Sequence, residues 1–474
     1  MKPTTRMSGA LCAVPLLAVV GSIGFTAPAS AETLPEALAR AYEGNPTLNA
    51  QRANTRATDE AVPQALSDYR PTVIGSADAG YVDTRIKRRQ EGIRSINDSE
   101  VFSRSAGVTL NQNLFNGFQT KNNVKVAESS VLASRETLLN TEQNVLFDGV
   151  EAYMNVLRDF AIFDLRRNNV DLLGEELRAT NERFQVGEVT RTDTALSESR
   201  LAGARSDLSV AEANLKASRA VYRQVIGNEP TKLFPGKPVD RLLPPNLDAA
   251  LQVGFKEHPA TRSAFHAVDA AAAQVRVAQG VLAPSVDLQG SVSTQRDDAL
   301  GGGLSGEDYT NTFNGTVLTT LTVPIYQGGQ EYSVIRQAKE TLGQRRLEAE
   351  IVRDQVRAAI VSAWGALEGA KSQIIAAQAQ VDAAQIALNG VREENRVGQR
   401  TTLDVLNFTQ DLLDARVTLI TAQRDRVVAS YALLQAIGRL NVVQLNLKVA
   451  TYDSRIHYDQ VRDRWFGQRT PDGR

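Results

Sequence analysis

The feature that most restricts what this chain can fold into is an internal duplication. Leu34, Ala37, Leu38, Tyr42 and Pro46 reappear as Leu247, Ala250, Leu251, Phe255 and Pro259, and Pro71 reappears as Pro284, all at a shift of 213. Phe115-Asn116-Gly117 then matches Tyr326-Gln327-Gly328, Tyr153 matches Trp364, Val186-Gly187 matches Val397-Gly398 and Ile226-Gly227 matches Ile437-Gly438, all at a shift of 211. The fold must therefore be two copies of one unit, with the change of shift falling between Pro71 and Phe115. The copies meet at Pro230 to Pro245, which holds five prolines and reads as a linker, not a helix. This divides the chain into a first repeat at 32–245, a second at 246–447 and a tail at 448–474.

Residues 1–31 read as a secretory signal. Lys2 and Arg6 precede an apolar run from Leu11 to Phe25, and Ala29-Ser30-Ala31 places small residues before Glu32. A lipid-anchor reading of Cys12 is opposed by the bulky Leu11 before it. Cleavage removes two cations and Cys12, the one cysteine, so the net charge goes from −1 to −3 and the mature chain has no thiol for disulfides, catalysis or metal binding. The near-neutral balance speaks against a nucleic-acid binder. No later stretch is long and apolar enough for a transmembrane helix.

Within each copy the hydrophobic period switches twice. Pro46 to Tyr69 and Pro259 to Leu282 are helical, each with proline at a plausible first position. Period two follows: Val286, Leu288, Gly290 and Val292 alternate with Ser285, Asp287, Gln289, Ser291 and Ser293, and Phe313 to Ile325 behaves alike except at Leu318. Copy one has a similar stretch around Val108, Leu110 and Leu114 and a weaker one from Val73 to Val82. Each copy thus contributes two strands of about ten residues, one face apolar and the other hydroxyl or amide. Helical period then returns from Phe118 to Phe184, with one seam through Leu132, Leu139, Leu146, Tyr153 and Phe160 and another through Val156, Phe163, Val170, Leu177 and Phe184. Leu367, Ile374, Val381 and Leu388 repeat the second seam. Partner helices carry Leu201, Leu208, Leu215 and Tyr222 in copy one and Leu412, Leu419 and Leu433 in copy two, so each copy pairs a helix about 100 Å long with a partner in a coiled-coil hairpin.

Strands of this length and alternation suit an outer-membrane barrel, although an ordinary half-buried sheet alternates in the same way. The secretory signal and the missing membrane helix favour the barrel. Four strands cannot close one, so several chains must contribute: two would give eight strands and three would give twelve, with a wider lumen. Small residues such as Ala127, Ala133, Ala359, Ala363 and Ala376 would let the helices approach closely.

Pro324-Ile325-Tyr326-Gln327-Gly328-Gly329 at the strand-to-helix junction, and Val397-Gly398-Gln399-Arg400-Thr401-Thr402-Leu403-Asp404-Val405-Leu406 between the last two helices, resemble the TolC family of outer-membrane exit ducts. The resemblance covers the duplication and the strand positions. It implies an α+β membrane protein: a homotrimer with a shared twelve-stranded outer-membrane β-barrel, an α-barrel of coiled-coil hairpins crossing the periplasm, and a collar built from the linker and the tail. It further implies export of proteins, small toxic molecules or both, through a periplasmic adaptor (a membrane fusion protein) and an inner-membrane ABC or proton-driven transporter. Absence of a lipid-anchor cysteine leans toward type I secretion or dual use; a dedicated drug-efflux duct is the alternative.

The turns between the long helices carry the site expectations. Gly187 and Gly398 end one helix in left-handed conformation, Thr190 and Thr401 cap the next, and Asp193 and Asp404 complete capping boxes. Capping does not exclude a gate. The resemblance places Asp404 in a ring of three carboxylates at the tunnel entrance, with Arg400 bonding toward Thr192 and Asp193 to hold the coils closed, and makes Val186, Gly187, Val397 and Gly398 an adaptor-docking tip. Asn407 and Asn395 stand where family members often carry a second aspartate and an aromatic residue.

No catalytic constellation is visible, and His258, His266 and His457 lack metal-ligand spacing, so no enzyme, cofactor or metal site is expected. Arg85, Lys87, Arg88, Arg89 and Arg94 read as a basic hairpin loop, either solvated or touching outer-membrane lipid. Asp297, Asp298, Glu307 and Asp308 beside Gly301-Gly302-Gly303 read as an acidic loop. A periplasmic coiled-coil adaptor or structural protein is the competing class, but it calls for an anchor and a sandwich domain that this sequence does not display.

Overall fold

The computed structural model describes residues 32–90, 92–299, 309–471 and 473. The signal at 1–31 and Gly301, Gly302, Gly303, Glu307 and Asp308 lie outside the described residues. Copy one runs α1 (Leu34–Gly44), α2 (Pro46–Asp59), α3 (Ala61–Ser67), β1 (Thr72–Gln90), β2 (Ile93–Asn116), α4 (Gln119–Gln185) and α5 (Arg191–Ile226). Copy two runs α6 (Leu247–Glu257), α7 (Pro259–Gly280), β3 (Ser285–Ala299), β4 (Tyr309–Thr322), α8 (Gln330–Arg396) and α9 (Thr402–Ala436), and α10 (Ser454–Val461) closes the chain. The stretch expected as one helix from Pro46 is two. Pro63 offers no N–H to the Asp59 carbonyl and its ring crowds that carbonyl, so the helix breaks at Glu60; Arg276 stands at the corresponding place in α7, which is continuous.

The four strands form one antiparallel meander, β1-β2-β3-β4, joined across the two copies by the β2–β3 pair. Register sorts the faces. The rows Val73↔Leu110↔Gly290↔Val317 and Gly75↔Val108↔Val292↔Gly315 carry small and apolar side chains, whereas Ile74↔Thr109↔Ser291↔Thr316 and Asp78↔Ser105↔Gln295↔Thr312 are mainly polar. One face is therefore fit for lipid and the other for a wet lumen. The strands are longer than expected, at 19, 24, 15 and 14 residues. Alternation marks only the part that faces apolar surroundings, and charged side chains beyond it hide the continuing ladder. Arg85, Lys87, Arg88, Arg89 and Arg94 thus lie in β1 and β2, not in a loop, and Asp297 and Asp298 lie in β3.

Strand passes to helix through consecutive left-handed residues. These are Gly117 (φ 63°) and Phe118 (φ 64°) before α4, and Gly328 (φ 76°) and Gly329 (φ 86°) before α8. Phe118 occupies a conformation that costs a side chain about 1 kcal/mol or more; its ring packs edge-on to Phe115 at 5.2 Å, which offsets part of that cost.

α4 and α8 have 67 residues each, about 100 Å of helix, whereas α5 and α9 have 36 and 35. The remaining length is backed by the shorter helices leading into the strands. Against α4, α7 comes close enough for Ser263 Oγ to donate to the Ala133 carbonyl at 3.0 Å. The main core lies midway, where Leu38, Leu146, Tyr153, Tyr222, Ile360, Leu433 and Leu440 are fully or nearly fully buried. Leu233, Val239, Leu243, Val449 and Tyr452, from the linker and the tail, pack on it. Tyr153 Oη donates to the carbonyls of Glu32 and Phe234 at 2.9 and 2.6 Å, tying the start of the described chain and the linker to α4. Of the expected seams, Leu146, Tyr153, Leu201, Leu215, Leu367, Leu388 and Leu412 are buried, but Leu132, Leu139 and Phe160 remain 40 to 52% exposed on the chain's own surface.

The junction yields a prediction. A Cβ at Gly117 would meet the Gly280 carbonyl oxygen at 2.3 Å, whereas one at Gly328 meets nothing within 4 Å. Gly328→Ala is expected to cost about 1–2 kcal/mol from its positive φ, and Gly117→Ala clearly more, read as a larger loss of heat resistance of the assembled protein.

Candidate functional site

The two turns opposite the sheet are built alike because the copies share their local sequence. After α4, Gly187 N donates to the Phe184 carbonyl at 3.0 Å and Glu188 N to the Arg183 carbonyl at 2.9 Å. After α8, Gly398 N donates to Asn395 at 3.0 Å and Gln399 N to Glu394 at 2.8 Å. These bonds satisfy the last helical carbonyls and require the left-handed glycines, Gly187 at φ 78° and Gly398 at φ 79°. Val186 and Val397, between helix and glycine, are left 78% and 69% exposed.

Both capping boxes form. Asp193 Oδ2 accepts from Thr190 N at 2.9 Å and Thr190 Oγ1 at 2.7 Å, and Asp404 Oδ2 accepts from Thr401 N at 3.1 Å and Thr401 Oγ1 at 2.9 Å. Backbone and hydroxyl donation from Thr401 holds the Asp404 carboxyl below the ordinary aspartate value, and Thr190 does the same for Asp193.

Within the chain Arg400 bonds to its own turn. Its Nε donates to Glu394 Oε2 at 2.9 Å, and Asn395 Nδ2 donates to the Arg400 carbonyl at 2.8 Å, so within the chain this residue braces its own turn. The turn brings Glu394 within easy reach, and Asp193, which Arg400 was expected to meet, is engaged by Thr190. Asn407, at the place where relatives often carry a second aspartate, accepts at Oδ1 from Arg200 Nη2 on α5 at 2.7 Å. Thr192 is exposed at the start of α5.

Asn407 apart, the polar links between the two hairpins come from residues that the sequence did not single out. Besides Arg200–Asn407, Arg166 on α4 lies 3.1 Å from Asp207 on α5 and 3.8 Å from Asp414 on α9. Leu406 of α9 joins Leu173, Leu201 and Ala204 in a small apolar cluster. Cavities of about 280 and 490 Å³ flank Asn169 between these helices, so the hairpins are pinned at a few points and not packed throughout. No local signal announces Arg200–Asn407 or Arg166–Asp414, whose members lie more than two hundred residues apart. Among the described residues no group of metal-ligating side chains occurs, and no helix is long and apolar enough to cross a membrane.

A sheet with one lipid-compatible face, continuous with hairpins whose longer helices span about 100 Å, defines an outer-membrane channel of the TolC type. The sequence matches the outer membrane efflux protein family over residues 37–228 and 251–439, and the chain belongs to that family. It is 43% identical to the outer membrane efflux protein BepC of Brucella suis biovar 1 over 94% of both chains. It is 26% identical to outer membrane protein TolC of Escherichia coli, covering 90% of this chain and 86% of that protein. The crystal structure of the Campylobacter jejuni CmeC outer membrane channel superposes with a TM-score of 0.75 at 17% identity, covering 91% of this chain and 89% of that one.

The caps make a pH prediction. Because the folded-state pKa values of Asp193 and Asp404 are depressed, their capping is intact above the ordinary aspartate value of 3.8 and is lost as pH falls below it. Protection of amides against hydrogen exchange, relative to their intrinsic rates, should be high in the first turns of α5 and α9 at pH 5 and fall selectively toward pH 3. Asn substitution at both positions should remove that acid step.

Proposed function

We propose that three copies of this chain form a passive exit duct that receives small molecules from an inner-membrane transporter through a periplasmic adaptor. The observation that carries the shared assembly is the open sheet. Among the described residues β1 and β4 each have one unpaired edge, and an open edge in lipid leaves backbone donors and acceptors unsatisfied at several kcal/mol each. A second support is the apolar stripe of α8, where Leu347, Val361 and Ile375 recur every 14 residues at 68, 46 and 72% exposure and await neighbouring helices. Efflux is favoured over protein secretion by the 43% identity to a protein named for efflux. The 32–245 and 246–447 repeats then supply two strands and one hairpin each, while 448–474 joins the collar.

In this reading the turns form the periplasmic entrance. Val186, Gly187, Val397 and Gly398 offer six apolar tips around a trimer for adaptor docking. Asp404 supplies the carboxylate ring, and Asp193, Thr192, Asn395 and Arg400 shape its surroundings. Asn407 acts through Arg200, pinning one hairpin to the other.

Ile375→Glu is expected to abolish the heat-dissociable trimer in mild detergent; a trimer of unchanged heat resistance would sink the shared-barrel reading. In planar bilayers Asp404→Ala should reduce cation selectivity and block by trivalent cations, and unchanged selectivity would leave Asp404 as a helix cap only. Arg200→Ala should raise conductance more than Arg400→Ser, since it breaks an inter-hairpin bond on the order of 1–3 kcal/mol while Arg400 braces a single turn. Export of a small dye by cells carrying the chain, with no secreted protein dependent on it, tests the cargo class.

A further inference from the structure

Among the described residues the β1–β2 pair outruns the rest of the sheet. β3 accompanies β2 as far as Val101↔Ala299, whereas β1 and β2 remain paired to Gln90↔Ile93. At about 3.3 Å per residue, the stretch from Val82 to Gln90 is a two-stranded ribbon on the order of 26 Å long. Such a ribbon is marginal alone in water, so its side chains decide what it rests against.

Paired residues share a face, and the register gives the order on the face that continues the lipid-facing one. Tyr81↔Phe102 is followed by Asp83↔Glu100, Arg85↔Asp98, Lys87↔Ile96 and Arg89↔Arg94. The first row continues through Asp298 to Tyr309, and with Arg104 opposite Arg296 on the row before it this forms a mixed aromatic and charged border at the end of the apolar band. Arg85 and Asp98 satisfy each other through two bonds of 2.8 and 3.0 Å. Beyond them the balance fails. Arg89 stands directly opposite Arg94, a like-charge pair that destabilises a ladder, and the cross-strand partner of Lys87 is Ile96. A ribbon with this face needs an anion. With strands tilted about 35–45° in a barrel, Lys87 and Arg89 stand roughly 15–20 Å above the aromatic row, higher than acyl chains and level with a layer of phosphorylated sugars.

We propose that Lys87, Arg89 and Arg94 bind the phosphate groups of the anionic glycolipid in the outer leaflet, anchoring the ribbon to the membrane surface beside the duct. Arginine forks suit phosphate, and clustered cations near an anionic leaflet each contribute about 1 kcal/mol. A second copy is a poor occupant: around a ring β1 of one copy meets β4 of the next, and among the described residues β4 begins at Tyr309, level with Tyr81, so the ribbon from Asp83 onward stands beyond that neighbouring strand. The surface lies at the opposite end of the molecule from the entrance, so its test reads binding alone and leaves the duct reading untouched.

The test uses the purified full chain, assembled in mild detergent, and fluorescent rough-type lipopolysaccharide as the probe. The triple variant Lys87→Ala, Arg89→Ala, Arg94→Ala should bind about tenfold more weakly or worse, with heat resistance and conductance unchanged. Arg88→Ala, on the other face of the ribbon, should bind like the parent, and chemically dephosphorylated lipopolysaccharide should show the same loss on the parent protein. Unchanged affinity of the triple variant, an equal loss in Arg88→Ala, or full displacement by millimolar inorganic phosphate overturns the proposal. Should the triple variant not assemble, Arg94→Gln alone is expected to lose about two- to fourfold, and unchanged affinity there overturns it as well.

Discussion

The structure depends on one unmet requirement, the hydrogen bonds of two strand edges. In water an open edge is a liability; in hydrocarbon it is not tolerated, because nothing there can accept from N–H or donate to C=O. A chain with four antiparallel strands and one apolar face is therefore unfinished by construction. The same incompleteness recurs along the helices, where Leu132, Leu139 and Phe160 on α4 and Ile375 on α8 keep apolar surface that the chain does not cover. Strand edges and helix stripes call for the same remedy, further copies arranged around an axis.

The mid-length core has a different task. Helices about 100 Å long bury little against any one neighbour, and away from the middle the described apolar clusters are small. Around Leu38, Leu146, Tyr153, Ile360 and Leu433, by contrast, helices from both copies, the linker and the tail meet in one continuous core. Further along, the tail is tied by His457 Nδ1 and Asp59 Oδ2, 3.0 Å apart, with burial pushing the Asp59 carboxyl up. Stability is thus concentrated at the waist, and the turns at the far end are held by caps, two small apolar clusters and a few polar bridges. That distribution leaves the hairpin ends the most easily displaced part of the fold.

Much of the architecture was legible because each physical signal is local. Alternation with period two exposed the lipid-facing portion of each strand, heptad spacing exposed the hairpins, and Val-Gly followed by Thr-x-x-Asp exposed the turns down to the capping boxes. Charged residues from Arg85 to Arg94 looked like a loop because alternation in hydrophobicity ends where the apolar surroundings end, although the backbone ladder continues. Pro63 split a helix whose apolar pattern ran straight through it.

The sequence by itself determined the duplication, the element types, the glycine turns and the polarity of each sheet face, since all of these follow from residue order over a few turns of backbone. Tertiary structure alone decided which distant side chains meet. It gave Asn407 to Arg200, kept Arg400 on Glu394 and bridged Asp207 and Asp414 through Arg166. Such bonds depend on how two hairpins of nearly equal sequence pattern are rotated against each other. That rotation is set by packing at the waist, far from the residues it brings together.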